Sequence, residues 1–213
     1  MLQFRRYTNL AAAIHLLQTR TITLLNPATW DDKNDAYFMA EYKRLVGART
    51  VLALCFAECN ETYHHWRVFS HGSDGVCIVF DKERILSAFE GDALVRKGSV
   101  NYKVLNEIKK LKTLDAEELP FLKRRAYKDE KEYRVVYVNK RNAEEFLPYQ
   151  IDIASVAQVI LSPWIAVTLA RAIRKTLLSI DGCPSLSITK STLTNNEQWR
   201  RVTAKARIRS GGR

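Results

Sequence analysis

Glu130, Glu132 and Arg134 fall at alternate positions in Asp129-Glu130-Lys131-Glu132-Tyr133-Arg134-Val135-Val136-Tyr137-Val138. On an extended strand that spacing sets them on one face with Val136 and Val138, so the face runs from charged to apolar. A face of this kind leaves a core and enters a cleft. Of two adjacent carboxylates, one can have its pKa raised while an arginine holds the other ionised. Such a pair suits acid–base work or the stabilisation of an oxocarbenium ion. The same pattern also fits an exposed strand end carrying ordinary cross-strand ion pairs.

Two other segments carry residues with chemical potential. The apolar runs Cys55-Phe56-Ala57-Glu58 and Gly75-Val76-Cys77-Ile78-Val79-Phe80-Asp81 each end in a carboxylate. Strand ends are common places for function, although Glu58 or Asp81 could equally cap a turn. Between them Trp66 and Phe69 stand at i, i+3, the spacing of core packing on one helical face. Cys55, Cys59, His64, His65, His71 and Cys77 lack a paired Cys-x-x-Cys, so no structural metal is expected. The loop Trp30-Asp31-Asp32-Lys33-Asn34-Asp35, after Asn26-Pro27, could hold a hard cation or sugar hydroxyls, or serve only as turn chemistry.

The elements that must position these groups can be read from periodicity and breakers. A strand over Phe4–Tyr7, a helix over Asn9–Thr19 capped by Thr8, and a strand over Thr21–Leu25 open the chain. A helix follows over Ala36–Leu45, then central strands over Val51–Ala57 and Gly75–Phe80 flanking a short helix within Thr62–His71. The stretch Lys82–Tyr127 reads as mostly helical, with a possible strand near Val100-Asn101-Tyr102 and Pro120 starting a helix. Strands over Glu132–Val138, Val156–Leu161 and Leu186–Thr189 and a helix over Ile165–Ile180 complete the order. Without strict βαβ alternation, the expected class is α+β, a mixed or antiparallel central sheet with flanking helices.

At 213 residues with 46% hydrophobic content, the chain is long enough for one domain with a real core. No apolar run reaches ~18 residues and the N-terminus lacks a signal-peptide pattern, so the expectation is a cytoplasmic protein without membrane contact. Cys55 and Cys77 lie inside apolar runs, which favours free thiols. The net charge of +11 is unevenly placed. Arg200, Arg201, Lys205, Arg207, Arg209 and Arg213 form a terminal stretch without an acidic residue. The division expected is a globular domain over 1–199 and a flexible basic tail over 200–213. With Lys109-Lys110-Leu111-Lys112 and Lys123-Arg124-Arg125, this charge suits nucleic acid, or simply a solvated surface.

Together these segments resemble the bacterial family known as domain of unknown function 2971, from about Phe4 to Pro163. The likeness rests on Arg6-Tyr7-Thr8, on Pro27 through Asp32, on Cys55-Phe56-Ala57-Glu58, on Trp66 to Phe69, and on Gly75 to Asp81. It ends with Lys123, Tyr127, Glu130, Glu132 and Arg134. The acidic loop departs from the family pattern at Lys33, Asn34 and Asp35, which leaves Asp31 and Asp32 as its matched positions. The order of elements and the late Glu-x-Glu also resemble ADP-ribosyltransferase toxins, particularly those that modify nucleic acid, although a Ser-Thr-Ser strand is lacking. That resemblance implies an ADP-ribosyltransferase-like fold and NAD as cofactor. It implies that Arg6 contacts NAD, that Glu132 stabilises the oxocarbenium and that Glu130 assists the acceptor.

The candidate catalytic residues are therefore Glu132, Glu130 and Arg134, and the candidate NAD-binding residues are Arg6, Tyr7, Thr8, Asp31, Asp32 and Trp66. Lys123, Arg124, Arg125, Arg200, Arg201, Lys205, Arg207 and Arg209 are the candidates for nucleic acid. The expected function is an effector or toxin that transfers ADP-ribose to a nucleic-acid or nucleotide-associated target, in a setting such as anti-phage defence with a cognate antitoxin. Two alternatives remain. Asp129-Glu130-Lys131 with Asp81 or Glu58 could form the corner of a magnesium-dependent nuclease, or the chain could be a non-enzymatic RNA- or DNA-binding module.

Overall fold

The computed structural model describes residues 2–70 and 72–206. In chain order the elements are β1 (Gln3–Asn9), α1 (Leu10–Thr19), β2 (Thr21–Leu25), α2 (Lys33–Leu45), β3 (Thr50–Ala57), α3 (Tyr63–Phe69), β4 (Gly75–Asp81) and α4 (Lys82–Ser87). Then come β5 (Val95–Ser99), β6 (Asn101–Lys103), α5 (Leu105–Lys109), β7 (Leu122–Arg124), β8 (Glu132–Asn139) and β9 (Phe146–Gln150). The chain closes with β10 (Val156–Leu161), α6 (Val167–Leu178), β11 (Ser187–Lys190) and α7 (Glu197–Arg201). This is the expected α+β class. The main sheet is mixed, with β10 and β11 parallel and its other pairs antiparallel.

The sheet branches at β3. One edge of β3 pairs with β8 along its whole length, from Thr50↔Asn139 to Ala57↔Glu132. Its other edge is shared: β1 meets it at Arg5↔Ala57 and β2 at Leu25↔Ala53. Beyond those single contacts β1 turns away to pair fully with β4, and β2 pairs fully with β9. The split leaves an opening beside the C-terminal half of β3.

Alternation assigns the two faces. Phe4, Leu54, Phe56, Ile78, Phe80, Val135 and Val159 form the large core, into which α1 inserts Ala13, Leu16 and Leu17. On the opposite face Met39 and Tyr42 of α2 cover Val51, Ala53 and Val136, while Trp66 of α3 covers Cys77, Val79 and Ile160. The cleft opens between those two smaller clusters, on the face that carries Glu132 and Arg134.

Several boundaries differ from the sequence reading for identifiable reasons. Asn9, not Thr8, caps α1 by accepting from the Ala12 amide, which leaves Thr8 in β1. Asp32 caps α2, so this helix starts three residues earlier and absorbs the end of the acidic loop. The middle of the chain is not mostly helical: β5 lies along β8, and Pro120 sits inside a 3-10 helix over Ala116–Phe121. Glu130 is also off the strand. It ends a 3-10 helix over Arg125–Glu130, and Lys131 takes a left-handed conformation at φ 48° before β8 begins. The four cysteines are free. No helix among the described residues is long and apolar enough to cross a membrane. The expected boundary after Trp199 falls inside α7, and a 3-10 helix over Val202–Lys205 continues it.

Candidate active site

A cleft of about 580 Å³ occupies the split, a size within the range of ordinary ligand pockets. Arg5, Arg6 and Tyr7 of β1 line one side, Cys55, Phe56 and Ala57 of β3 the floor, and His65, Val68 and Phe69 of α3 a second wall. Thr29 to Asp32, with Asp35 of α2, face Lys123, Tyr127, Glu130 and Glu132 across it.

The acidic side is a closed ion network. Arg134, 0% exposed, is bracketed by two carboxylates. Its Nε and Nη2 donate to Glu132 at 2.7 and 2.9 Å, and its Nη1 and Nη2 donate to Asp35 at 2.9 and 2.5 Å. A further Nη1 bond to the Pro120 carbonyl, 2.9 Å, completes the five donors of a guanidinium. Trp30 lies over the same group, 4.8 Å from its ring centroid. Lys123 Nζ stands at the centre of three carboxylates, 2.5 Å from Glu130, 3.2 Å from Glu132 and 3.5 Å from Asp35.

The two glutamates separate electrostatically. Burial disfavours charge on Glu132, but Arg134 and Lys123 outweigh it and hold its carboxyl down to about 2. Burial pushes Glu130 up, and Lys123 only partly offsets this. Glu130 Oε2 takes the Lys123 ammonium, whereas Oε1 makes no hydrogen bond among the described residues. Its backbone is tied as well, since the Glu130 carbonyl accepts from His65 Nε2 at 3.1 Å. A carbonyl only accepts, so Nε2 carries the proton and Nδ1 receives the Thr62 hydroxyl at 2.6 Å. Burial lowers the His65 pKa, which keeps this ring neutral. Beside Glu132, burial raises the Cys55 thiol well above its usual value, so it is no nucleophile near neutral pH.

The β1 side is different. Among the described residues neither Arg5 nor Arg6 makes an ion pair: Arg5 donates to the Cys59 carbonyl at 2.9 Å and Arg6 to the Cys55 carbonyl at 3.3 Å. Among the described residues two buried polar atoms of the cleft's lining have no partner, namely Arg5 Nε and Asp32 Oδ2. Unsatisfied buried groups gathered around one cleft are what a bound polar ligand would complete.

Of the candidates from sequence, Arg6, Tyr7, Asp31, Asp32, Glu130, Glu132 and Lys123 share this cleft. Lys123 is thereby corrected: it is enclosed by carboxylates and has no free charge for a nucleic-acid backbone. Arg134 is buried behind Glu132 and holds it in place. Trp66 is 0% exposed in the core under α3, and Thr8 does not line the cleft. Arg124, Arg125, Arg200, Arg201 and Lys205 are exposed, while Arg207, Arg209, Arg213 and His71 lie outside the described residues. The nuclease corner is not assembled. Asp129 and Lys131 are exposed, Asp81 caps α4, and Glu58 binds Lys82 at 2.7 Å. Among the described residues no three His, Cys, Asp or Glu side chains form a metal position.

Fold and cleft together define an α+β protein whose split sheet holds a ligand-sized, charge-divided cleft. A family model described as protein of unknown function (DUF2971) matches residues 65–135, about a third of the chain, running from His65 to the segment bearing Glu130, Glu132 and Arg134. No curated protein matches. Among solved structures, Thermus sp. 2.9 DarT in complex with NAD+ is similar at 9% identity and a TM-score of 0.45, covering 89% of this chain and 95% of its own. The same protein with carba-NAD+ gives 9% and 0.44, and with ADP-ribosylated ssDNA 10% and 0.44. At such scores the likeness assigns nothing in the cleft.

Proposed function

We propose that the cleft binds NAD as substrate and that the chain transfers ADP-ribose to a nucleic-acid or nucleotide-associated acceptor. The observation that carries this reading is the convergence of Arg6, Glu130 and Glu132 on one cleft from β1, the 3-10 helix and β8. Arg5 and Arg6, without carboxylate partners, suit the pyrophosphate, and the unsatisfied Asp32 Oδ2 suits a ribose hydroxyl. When the bond between nicotinamide and ribose C1′ breaks, the electron pair leaves with nicotinamide and positive charge develops on the ribose. Glu132, ionised and immobilised by Arg134, stabilises that charge without reorganising. Glu130, with its raised pKa and a free Oε1, takes the proton of the acceptor as the acceptor bonds to C1′. The exposed Arg124 and Arg125 and the net charge of +11 favour a polyanionic acceptor. An anti-phage setting with an antitoxin remains part of the proposal.

Thermal unfolding with NAD, followed by mass measurement of an oligonucleotide incubated with protein and NAD, tests it. The expected results are a raised midpoint and an adduct of one ADP-ribose. The adduct should disappear as pH falls through the raised Glu130 pKa, and should be absent in Glu130→Gln. A midpoint indifferent to NAD sinks the reading.

A further inference from the structure

On α3, outside the set of residues that line the cleft, Arg67 sits in the corner formed by two aromatic rings. Its guanidinium carbon lies 4.2 Å from the centroid of Trp164 and 5.2 Å from that of Tyr63. The two rings meet edge to face at 5.9 Å and 77°. Arg67 Nε donates to the Tyr63 hydroxyl at 2.9 Å, which fixes the plane of the guanidinium. Nη1 and Nη2 make no hydrogen bond or ion pair among the described residues, and Arg67 itself is exposed. Stacking and one hydrogen bond therefore orient a forked cation whose other donors face water. An arginine so pre-organised loses little rotamer freedom when it takes an oxyanion in bidentate geometry.

Its placement separates it from the residues proposed for NAD. His65, Val68 and Phe69 turn towards the cleft, whereas Arg67, on the same helix, does not line it. We propose that Arg67, braced by Tyr63 and Trp164, is a phosphate-binding site outside the cleft that holds a backbone phosphodiester of the acceptor strand. This rests on the reading of the cleft as a transferase site, and it adds a contact that steers the acceptor without touching NAD. A phosphate contact carries no base information, so its loss weakens binding equally for strands of different sequence.

The test measures oligonucleotide binding by fluorescence anisotropy between about 50 and 200 mM salt, in the wild type, Arg67→Ala and Arg67→Lys, with NAD binding followed in parallel. Arg67→Ala should weaken oligonucleotide affinity about tenfold and reduce the salt slope by about one, for every sequence tried, with NAD affinity and thermal midpoint unchanged. Arg67→Lys should restore the slope but only part of the affinity, because a point charge does not replace the stacked fork. An Arg67→Ala protein with wild-type affinity and slope overturns the proposal. Loss of NAD affinity would instead place Arg67 on the pyrophosphate and equally overturn it. Absence of NAD binding in the wild type would remove the transferase reading, while the oligonucleotide series would still decide whether Arg67 holds a phosphate.

Discussion

Glu132 shows how far one carboxylate can serve both fold and chemistry. Its partners Arg134 and Lys123 are buried with it, so removing its charge leaves two cations short of a counter-ion. Glu132→Gln should therefore cost about 3–5 kcal/mol, the usual consequence of breaking a buried pair from one side, although the amide is nearly isosteric. The pH dependence has a definite sign. The folded pKa of about 2 lies below the unfolded glutamate value of ~4.3, so the stabilisation is complete above ~4.3 and is lost as pH falls towards 2. Its size is on the order of 3 kcal/mol. Glu130 acts in the opposite sense, because its folded pKa is raised and its protonation on acidification favours the fold. Denaturant unfolding of wild type and Glu132→Gln at successive pH values checks this. The wild type should lose its advantage over the variant between ~4.3 and 2, and parallel curves would show that the network does not hold Glu132 ionised.

Among the elements, those with continuous apolar or strictly alternating sequence were legible and the others were not. β3, β4 and β10 are buried on both faces or nearly so, and their Val, Ile, Leu and Phe runs mark them without a partner in view. β5, Val95-Arg96-Lys97-Gly98-Ser99, has no such run, because as an edge strand it needs only one covered neighbour. β9 contains Pro148, which argues against a central strand and is tolerated in one that pairs only with β2. Asp35 was hidden for a different reason. Local turn chemistry explains an aspartate there, and the partner that gives it meaning, Arg134, is 99 residues away. By sequence His65 reads only as a metal ligand, whereas its bonds to Thr62 and Glu130 make it a strut. The short α3 carries that strut on one side and Trp66 on the other. Trp66 is fully buried, its indole N–H donates to Glu61 at 2.9 Å, and Tyr7 packs edge-on against it at 5.3 Å. Emptying that site in Trp66→Ala should destabilise by about 3–5 kcal/mol and, by loosening α3, weaken NAD binding in protein that still folds. A midpoint close to wild type would show that α3 is held by other contacts.

At the scale of the whole molecule, charge is divided by region. The three carboxylates at the cleft's centre, Asp35, Glu130 and Glu132, face two cations, Lys123 and Arg134, so apart from Arg5 and Arg6 the surplus positive charge lies outside the cleft. Residues 200–206 are all exposed, and Trp199 is 78% exposed, so this end buries too little apolar surface to add much to the stability of the body. Within it Arg201 pairs with Glu197 at 3.3 Å on the surface of α7, a contact worth little in water. Placed against phosphates, Arg200, Arg201 and Lys205 would release counterions, an effect that falls steeply as salt rises. Deleting residues 200–213 should therefore leave the thermal midpoint nearly unchanged while lowering oligonucleotide affinity and flattening its salt dependence. NAD binding should be untouched, since none of the described residues 200–206 lines the cleft. Unlike Arg67→Ala, the deletion should reduce the slope by several units, because several cations leave at once. A large drop in midpoint would make the segment part of the fold, and an unaltered slope would confine polyanion binding to Arg67 and the Arg124–Arg125 surface.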